Sequence, residues 1–199
     1  MQKKILNKIA VFFAVTVFFQ IGVIVFILLR TGSIRRDAEK SGRVASFKCE
    51  MRDPYNPFKG RYVRLNLSES AKDFSELDSQ SLEVKDSARK KPVVFCLLEK
   101  DGQGDFHITG LRLTEPEDSS FFVRARMIYC GYNVQLDFPF DEYYMQENYA
   151  RKVDSLGSAF YDQDPHIAVY IDSHGNCIQK SLTVNGNVRI EDYIASLLK

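Results

Sequence analysis

Between Lys8 and Arg30 the chain carries no charged residue, and this run of 21 residues from Ile9 to Leu29 limits everything that follows. At about 1.5 Å of rise per residue, a helix of that length spans roughly 31 Å, close to a bilayer hydrocarbon core of about 30 Å. A buried core helix would have to be apolar on every side for about six turns. The run therefore reads as one transmembrane helix that meets the lipid bilayer through residues 9–29. A cleaved signal peptide would begin with the same lysines, but its apolar stretch is normally only about 7 to 15 residues and ends at a small-x-small site. Here the stretch is longer and stops at Arg30, which favours an uncleaved anchor.

Flanking charge leaves the orientation open. Lys3, Lys4 and Lys8 precede the run, and Arg30, Arg35, Arg36, Lys40 and Arg43 follow it. The acidic Asp37 and Glu39 count little in the positive-inside rule. Within the run, Thr16 and Gln20 share a helix face, where a bond to a neighbouring helix would be worth about 1 kcal/mol or less. A single tolerated Gln is the simpler reading.

Residues 1–30 form the tail and anchor, 31–43 a charged juxtamembrane linker with two glycines and no apolar period, and 44–199 one soluble domain. Four of the 27 basic residues and none of the 26 acidic ones lie in the first 30, so the remainder is acidic by three. That balance argues against nucleic acid, which requires a clustered basic surface. The basic stretch from Arg30 to Arg43 suits lipid headgroups instead.

In the domain, Ala45, Phe47, Cys49 and Met51 alternate with Ser46, Lys48, Glu50 and Arg52, which predicts a strand with one wet face. After a turn at Asp53-Pro54-Tyr55-Asn56-Pro57, a second strand is expected over 61–67, antiparallel to the first. Residues 68–91 read as a polar excursion anchored by Phe74, Leu77, Leu82 and Val84, with one helical turn near Asp73 to Leu77. The unbroken apolar run Val93 to Leu98 predicts a central strand buried on both faces, and Asp101 to Asp105 a glycine turn into a hairpin partner from Phe106 to Leu113. Phe121 to Leu136 reads as a long strand or bent pair with a bulge at Gly131.

Met145, Tyr149, Val153 and Leu156 recur at helical spacing, with Asp141 as N-cap, Phe140 and Met145 as a hydrophobic staple and Gly157 as the stop. The opposite face would carry Tyr143, Tyr144, Glu147 and Arg151, a candidate interaction face. A closing hairpin is expected from His166 to Ile171 and Cys177 to Val184. The predicted class is α+β: a transmembrane helix, then a mainly antiparallel sheet or partial barrel with one packed helix.

No catalytic motif stands out. His107, His166 and His174 lack any metal-binding spacing, and Asp172-Ser173-His174 are too close in sequence to line up as a triad. Cys49, Cys96, Cys130 and Cys177 form no CxxC pair and read as buried thiols, although an oxidising compartment could pair them. No cofactor or metal is expected.

Around Asp53-Pro54 and the segment Phe58-Lys59-Gly60-Arg61-Tyr62-Val63-Arg64-Leu65-Asn66-Leu67, the chain resembles the GDYXXLXY family of bacterial membrane-anchored proteins. Gly60, Tyr62 and Leu65 match the motif, while Arg61 stands at its Asp and Leu67 at its final Tyr. The likeness extends to the order of parts: anchor, Asp-Pro pair, motif strand, Asp101-Gly102 turn, Tyr143-Tyr144 with Glu147, and a terminal hairpin at Gly175. The resemblance implies a cell-membrane protein with a cytoplasmic N-terminus and an extracytoplasmic domain. It also implies a multi-spanning membrane protein as partner, and it supplies no activity.

Gly60 has an architectural explanation as a positive-φ entry into the strand, and Tyr62 and Leu65, three apart, should face opposite sides. Three functional classes stay open: a non-catalytic interaction module, a barrel-like binder of a small apolar or envelope ligand, and a thiol-dependent or hydrolytic enzyme.

Overall fold

The computed structural model describes residues 2–52, 62–86, 93–117, 120–146, 149 and 163–197. Its first element is a single 40-residue helix, α1 (Gln2–Ser41), about 60 Å long. From Val11 onward it is long and apolar enough to cross a membrane, and that apolar part is not buried against the domain.

The helix corrects the expected linker at 31–43. It continues about three turns past Arg30 because Ile34 and Ala38, one turn apart, are 8% and 0% exposed and have a sheet to pack on. Arg35 and Glu39 add an ion pair of 2.8 Å beside that packed face, with Arg35 over the Tyr170 ring of the domain at 5.8 Å. Its end is chemically defined. Gly42 takes φ +67°, and the amide of Arg43 donates back to the carbonyl of Ala38 at 2.9 Å, the bond that closes a Schellman motif. An apolar stripe only two residues wide, set among charges, looks like linker composition until a partner surface is known.

The domain curls two antiparallel sheets against each other. In the first, the strand order is β11 (Val188–Arg189), β10 (Cys177–Val184), β9 (His166–Ile171), β1 (Val44–Arg52), β2 (Tyr62–Leu67), β8 (Glu142–Tyr144). The second runs β3 (Ala71–Asp73), β7 (Asn133–Asp137), β6 (Phe122–Cys130), β4 (Val93–Lys100), β5 (Phe106–Arg112). Strand β1 divides its ladder: Val44 to Lys48 pair with β9, and Cys49 to Arg52 with β2. That hand-over lets the sheet curl without losing backbone bonds.

Period-two alternation places the core. Ala45, Phe47, Cys49 and Met51 are all buried on β1, as are Val63, Leu65 and Leu67 on β2. Between the sheets Phe47 stacks on Phe140 at 5.7 Å, and Phe138 lies 5.3 Å from Phe140. Two short helices, α2 (Leu82–Asp86) and α3 (Ile190–Ser196), complete the class as α+β. Ile190 and Ile194 of α3, fully buried, are one turn apart, too short a signal to stand out in sequence.

Several expectations need correction. The stretch expected to open a helix at Asp141 is instead β8, hydrogen-bonded along β2. Asp141 precedes a strand there and not a helix; its carbonyl accepts from Leu65 N–H at 2.6 Å, and Phe140 joins the core cluster of Phe47. The ladder groups on the open side of β2 need partners, and that tertiary demand overrides the local N-cap signal at Asp141, while Tyr149 of the spaced set is helical. Most of the expected helix, including Glu147, Arg151, Val153 and Leu156, lies outside the described residues.

Strand β4 is central but buried on one face only: Val94, Cys96 and Leu98 point inward, while Val93 is 46% exposed and Phe95 and Leu97 are half-buried. Gly131 sits in the turn between β6 and β7, and the register shift falls between Met127 and Tyr129. Of the anchors proposed in 68–91, Phe74, Leu77 and Val84 are buried, and Leu82 is 52% exposed.

Candidate functional site

The motif and the aromatic pair, about 80 residues apart in sequence, meet in the ladder between β2 and β8. Tyr62 lies opposite Tyr144, Val63 opposite Tyr143, and Arg64 opposite Glu142. The rings of Tyr62 and Tyr144 are 5.6 Å apart, and the Tyr144 hydroxyl donates to Glu142 Oε2 at 2.7 Å. Because successive strand residues alternate faces, Tyr143 cannot share a surface with Tyr144. It turns inward, 8% exposed, and its hydroxyl donates to Glu191 Oε1 of α3 at 2.6 Å. Burial, with Glu191 beside it, pushes this phenol up to about 12.

The expected face therefore divides. Tyr62 and Tyr144 present a surface at the edge strand, Tyr143 is a core strut, and Glu147 and Arg151 lie outside the described residues. Leu65 is buried on the opposite side of β2 from Tyr62, as the spacing required. Asp53, Pro54, Gly60 and Arg61 also lie outside the described residues, so the motif is represented by Tyr62 and Leu65.

Beside that edge, the open seam between β2 and β7 holds a cleft of about 420 Å³. Arg64, Asn66, Gln135, Asp137 and Asp141 supply its polar groups over a floor that includes Leu67 and Leu136. Burial, then the neighbouring Asp137 and Glu142, raise the Asp141 carboxyl above its ordinary value. Asp137 accepts two bonds from Arg126, at 3.1 and 2.5 Å. The sequence marks Arg64 and Asn66 only as wet-face residues, and nothing local announces that β7 will face them.

A second concentration of polar contacts lies at the anchor end, around the β9–β10 turn. The Ser173 amide donates to Asp37 Oδ2 of α1 at 2.6 Å, and the Arg43 guanidinium donates to the carbonyls of Ser120 at 2.6 Å and Asp172 at 3.3 Å. Across the sheets, Arg124 N–H donates to the Gly175 carbonyl at 2.9 Å. Asp172, 8% exposed, accepts from the amides of His174 and Asn176, which shapes the turn. Gly175 has φ +76°, and a Cβ there would lie 2.8 Å from the Phe122 ring. One turn thus joins α1 and both sheets.

Each histidine has a carboxylate partner. His107 bridges Asp101 at 3.0 Å and the buried Glu69 at 3.1 Å, and both carboxylates, Asp101 first, raise its pKa. His166 contacts Asp105 and the Asp164 carbonyl, each at 3.0 Å, and His174 contacts Glu115 at 2.8 Å. Asp172, Ser173 and His174 thus act as turn residues with separate partners.

All four cysteines are free. Burial pushes Cys49 and Cys177 up to about 12 and raises Cys96 and Cys130 as well, so these thiols hold their protons at neutral pH. Among the described residues, no group of three or more His, Cys, Asp and Glu side chains is placed to hold a metal ion.

Comparison with curated proteins and with solved structures returned no match. A family model described as GDYXXLXY protein matches residues 20–182, from the middle of the apolar run of α1 to the end of the β9–β10 hairpin. That match covers most of the chain, and the protein belongs to the GDYXXLXY family.

Proposed function

We propose that the protein is a membrane-anchored, non-catalytic accessory module that holds its domain against the bilayer and engages an integral membrane partner. In this reading the N-terminus is cytoplasmic and the domain extracytoplasmic, at the cell membrane. The observation that carries it is the continuity of α1: an apolar helix runs from the candidate span into the domain and is clamped there by Asp37, Arg43, Ile34 and Ala38. A flexible tether would let the domain sample a wide volume. A clamped helix gives it one height and one azimuth, which suits recognition of a partner that is itself fixed in the membrane.

The edge formed by β8, with Tyr62 and Tyr144 side by side, is the surface assigned to that partner. Tyrosine pairs supply large contact area at small entropic cost, and an edge strand offers backbone groups for pairing. The protonated thiols and carboxylate-bound imidazoles favour this reading over a thiol-dependent one.

The test is photo-crosslinking in native membranes from a benzoylphenylalanine placed at Tyr144, with Glu99 as a control position away from that edge. A discrete adduct with an integral membrane protein from Tyr144 alone is expected. Recovery of uncrosslinked monomer from both positions would end the proposal. A periplasmic-activity reporter fused after Lys199 checks the orientation, and activity only in the cytoplasmic version would reverse it.

A further inference from the structure

Where α1 leaves its apolar run, helix and domain enclose a groove of about 420 Å³. The helix contributes Phe26, Ile27, Arg30 and Ile34, and the facing domain wall includes Arg124 and Ile178. We propose that this groove holds one anionic phospholipid, its phosphate between Arg30 and Arg124 and the start of an acyl chain along Phe26, Ile27 and Ile178. The inference rests on reading α1 as a membrane anchor.

Four observations select this occupant. First, the lower wall is the end of the uncharged run itself; Phe26 and Ile27 are 62% and 55% exposed, and in a bilayer their neighbours are acyl chains. Second, the run ends at Leu29, which puts Arg30 one turn above Phe26, about 6 Å higher, at the level of the phosphates. Third, two arginines line the groove and no acidic residue does, so its field favours an anion.

Fourth, both arginines can serve a phosphate. Arg30 makes no ion pair among the described residues. Arg124 is held in place over the Phe95 ring at 5.6 Å, with a bond to Asn176 Oδ1 at 3.3 Å. The site therefore has a hydrocarbon floor continuous with the membrane and a cationic rim, the polarity of a phospholipid.

The experiment uses the full-length chain in nanodiscs that contain either photoactivatable phosphatidylglycerol or photoactivatable phosphatidylcholine, with adducts mapped by mass spectrometry. Adducts of the anionic lipid should fall within 26–34 and 175–178. They should drop about fivefold in R30Q, the factor that corresponds to about 1 kcal/mol for one basic residue at the surface. I178W, which fills the groove, should reduce adducts of both lipids.

Equal labelling by the two lipids, with R30Q unchanged, would overturn the proposal. Loss of labelling in excess inorganic phosphate would overturn it too, because the groove would then be a phosphate site and not a lipid site. Alkaline carbonate extraction separates the two readings. A chain that stays in the membrane but shows no lipid preference refutes the groove alone, and a chain that is extracted refutes the anchor.

Discussion

At its anchor end the domain is tied together through one turn, whereas at the β8 edge a three-residue strand sets Tyr144 beside Tyr62 of β2 on the outside. The β9–β10 turn receives bonds from α1, from Arg43 and from β6, and Gly175 has no room for a side chain. Tyr144 is 55% exposed, and its ladder with β2 is three residue pairs long. The contrast separates two kinds of importance. Groups that hold the domain to its helix should matter for stability, and groups on the edge should matter for recognition and little for stability.

The largest expected effect is at Gly175. Substitution to Ala forces a β-carbon into the Phe122 ring at 2.8 Å on a backbone of φ +76°, for a cost of about 2–3 kcal/mol in denaturant unfolding. Gly186 has φ +91° and open space around the same position, so Gly186→Ala should cost only about 1 kcal/mol. Equal costs at the two sites would mean that the turn is not tightly packed, and the contrast would break.

Next is Arg43→Ala, which removes charged hydrogen bonds to the Ser120 and Asp172 carbonyls and a cation stacked 5.5 Å from the Phe121 ring. A loss of about 2 kcal/mol is expected. Hydrogen exchange should show α1 residues 34–41 losing protection together with the turn. Protection lost in the turn alone would place the helix outside this cooperative unit.

Smaller again is the edge. A double-mutant cycle on Tyr62→Ala and Tyr144→Ala should give a coupling of about 0.5–1 kcal/mol, the usual size of an aromatic cross-strand pair. Tyr62→Ala alone should abolish the crosslink expected from benzoylphenylalanine at position 144. A coupling larger than the loss in Arg43→Ala would make the tyrosines structural and sharpen the search for another face.

The smallest effect is in pH. The Ser173 amide holds the Asp37 carboxyl below its ordinary 3.8, so its contribution is present above that value and is lost as pH falls through the lower folded pKa. The Ser173 amide should therefore lose exchange protection only below about pH 4, and in Asp37→Asn that dependence should vanish. His174 runs the other way. Glu115 raises its pKa above 6.5, so its contribution is complete below 6.5 and is lost as pH rises through the raised value. An Asp37→Asn variant whose turn is protected to the same degree as the wild type at neutral pH would show the Asp37 contact not to be formed in solution.

Strand patterning was legible wherever one face is wet. The alternation at Val44 to Arg52, the return along 62–67 and the closing hairpin all follow from a period of two, a property of the backbone that needs no tertiary information. The Tyr143–Tyr144 region shows the limit. Its residues satisfy helical spacing downstream, but the open edge of β2 needed partners, and that need exists only once β1 and β2 have paired. Likewise Ile34 and Ala38 become a helix face only because β9 and β10 arrive beside them.

The sequence by itself determined that an apolar helix the length of a bilayer precedes an acidic, β-rich domain, because an uncharged run and a period of two are local properties. The tertiary structure decided that no flexible linker separates them, that Tyr62 and Tyr144 share a surface while Tyr143 does not, and that Arg30 and Arg124 line one groove. Each of those depends on contacts between segments far apart in the chain, which are set by how the two sheets close on each other and not by any stretch read alone.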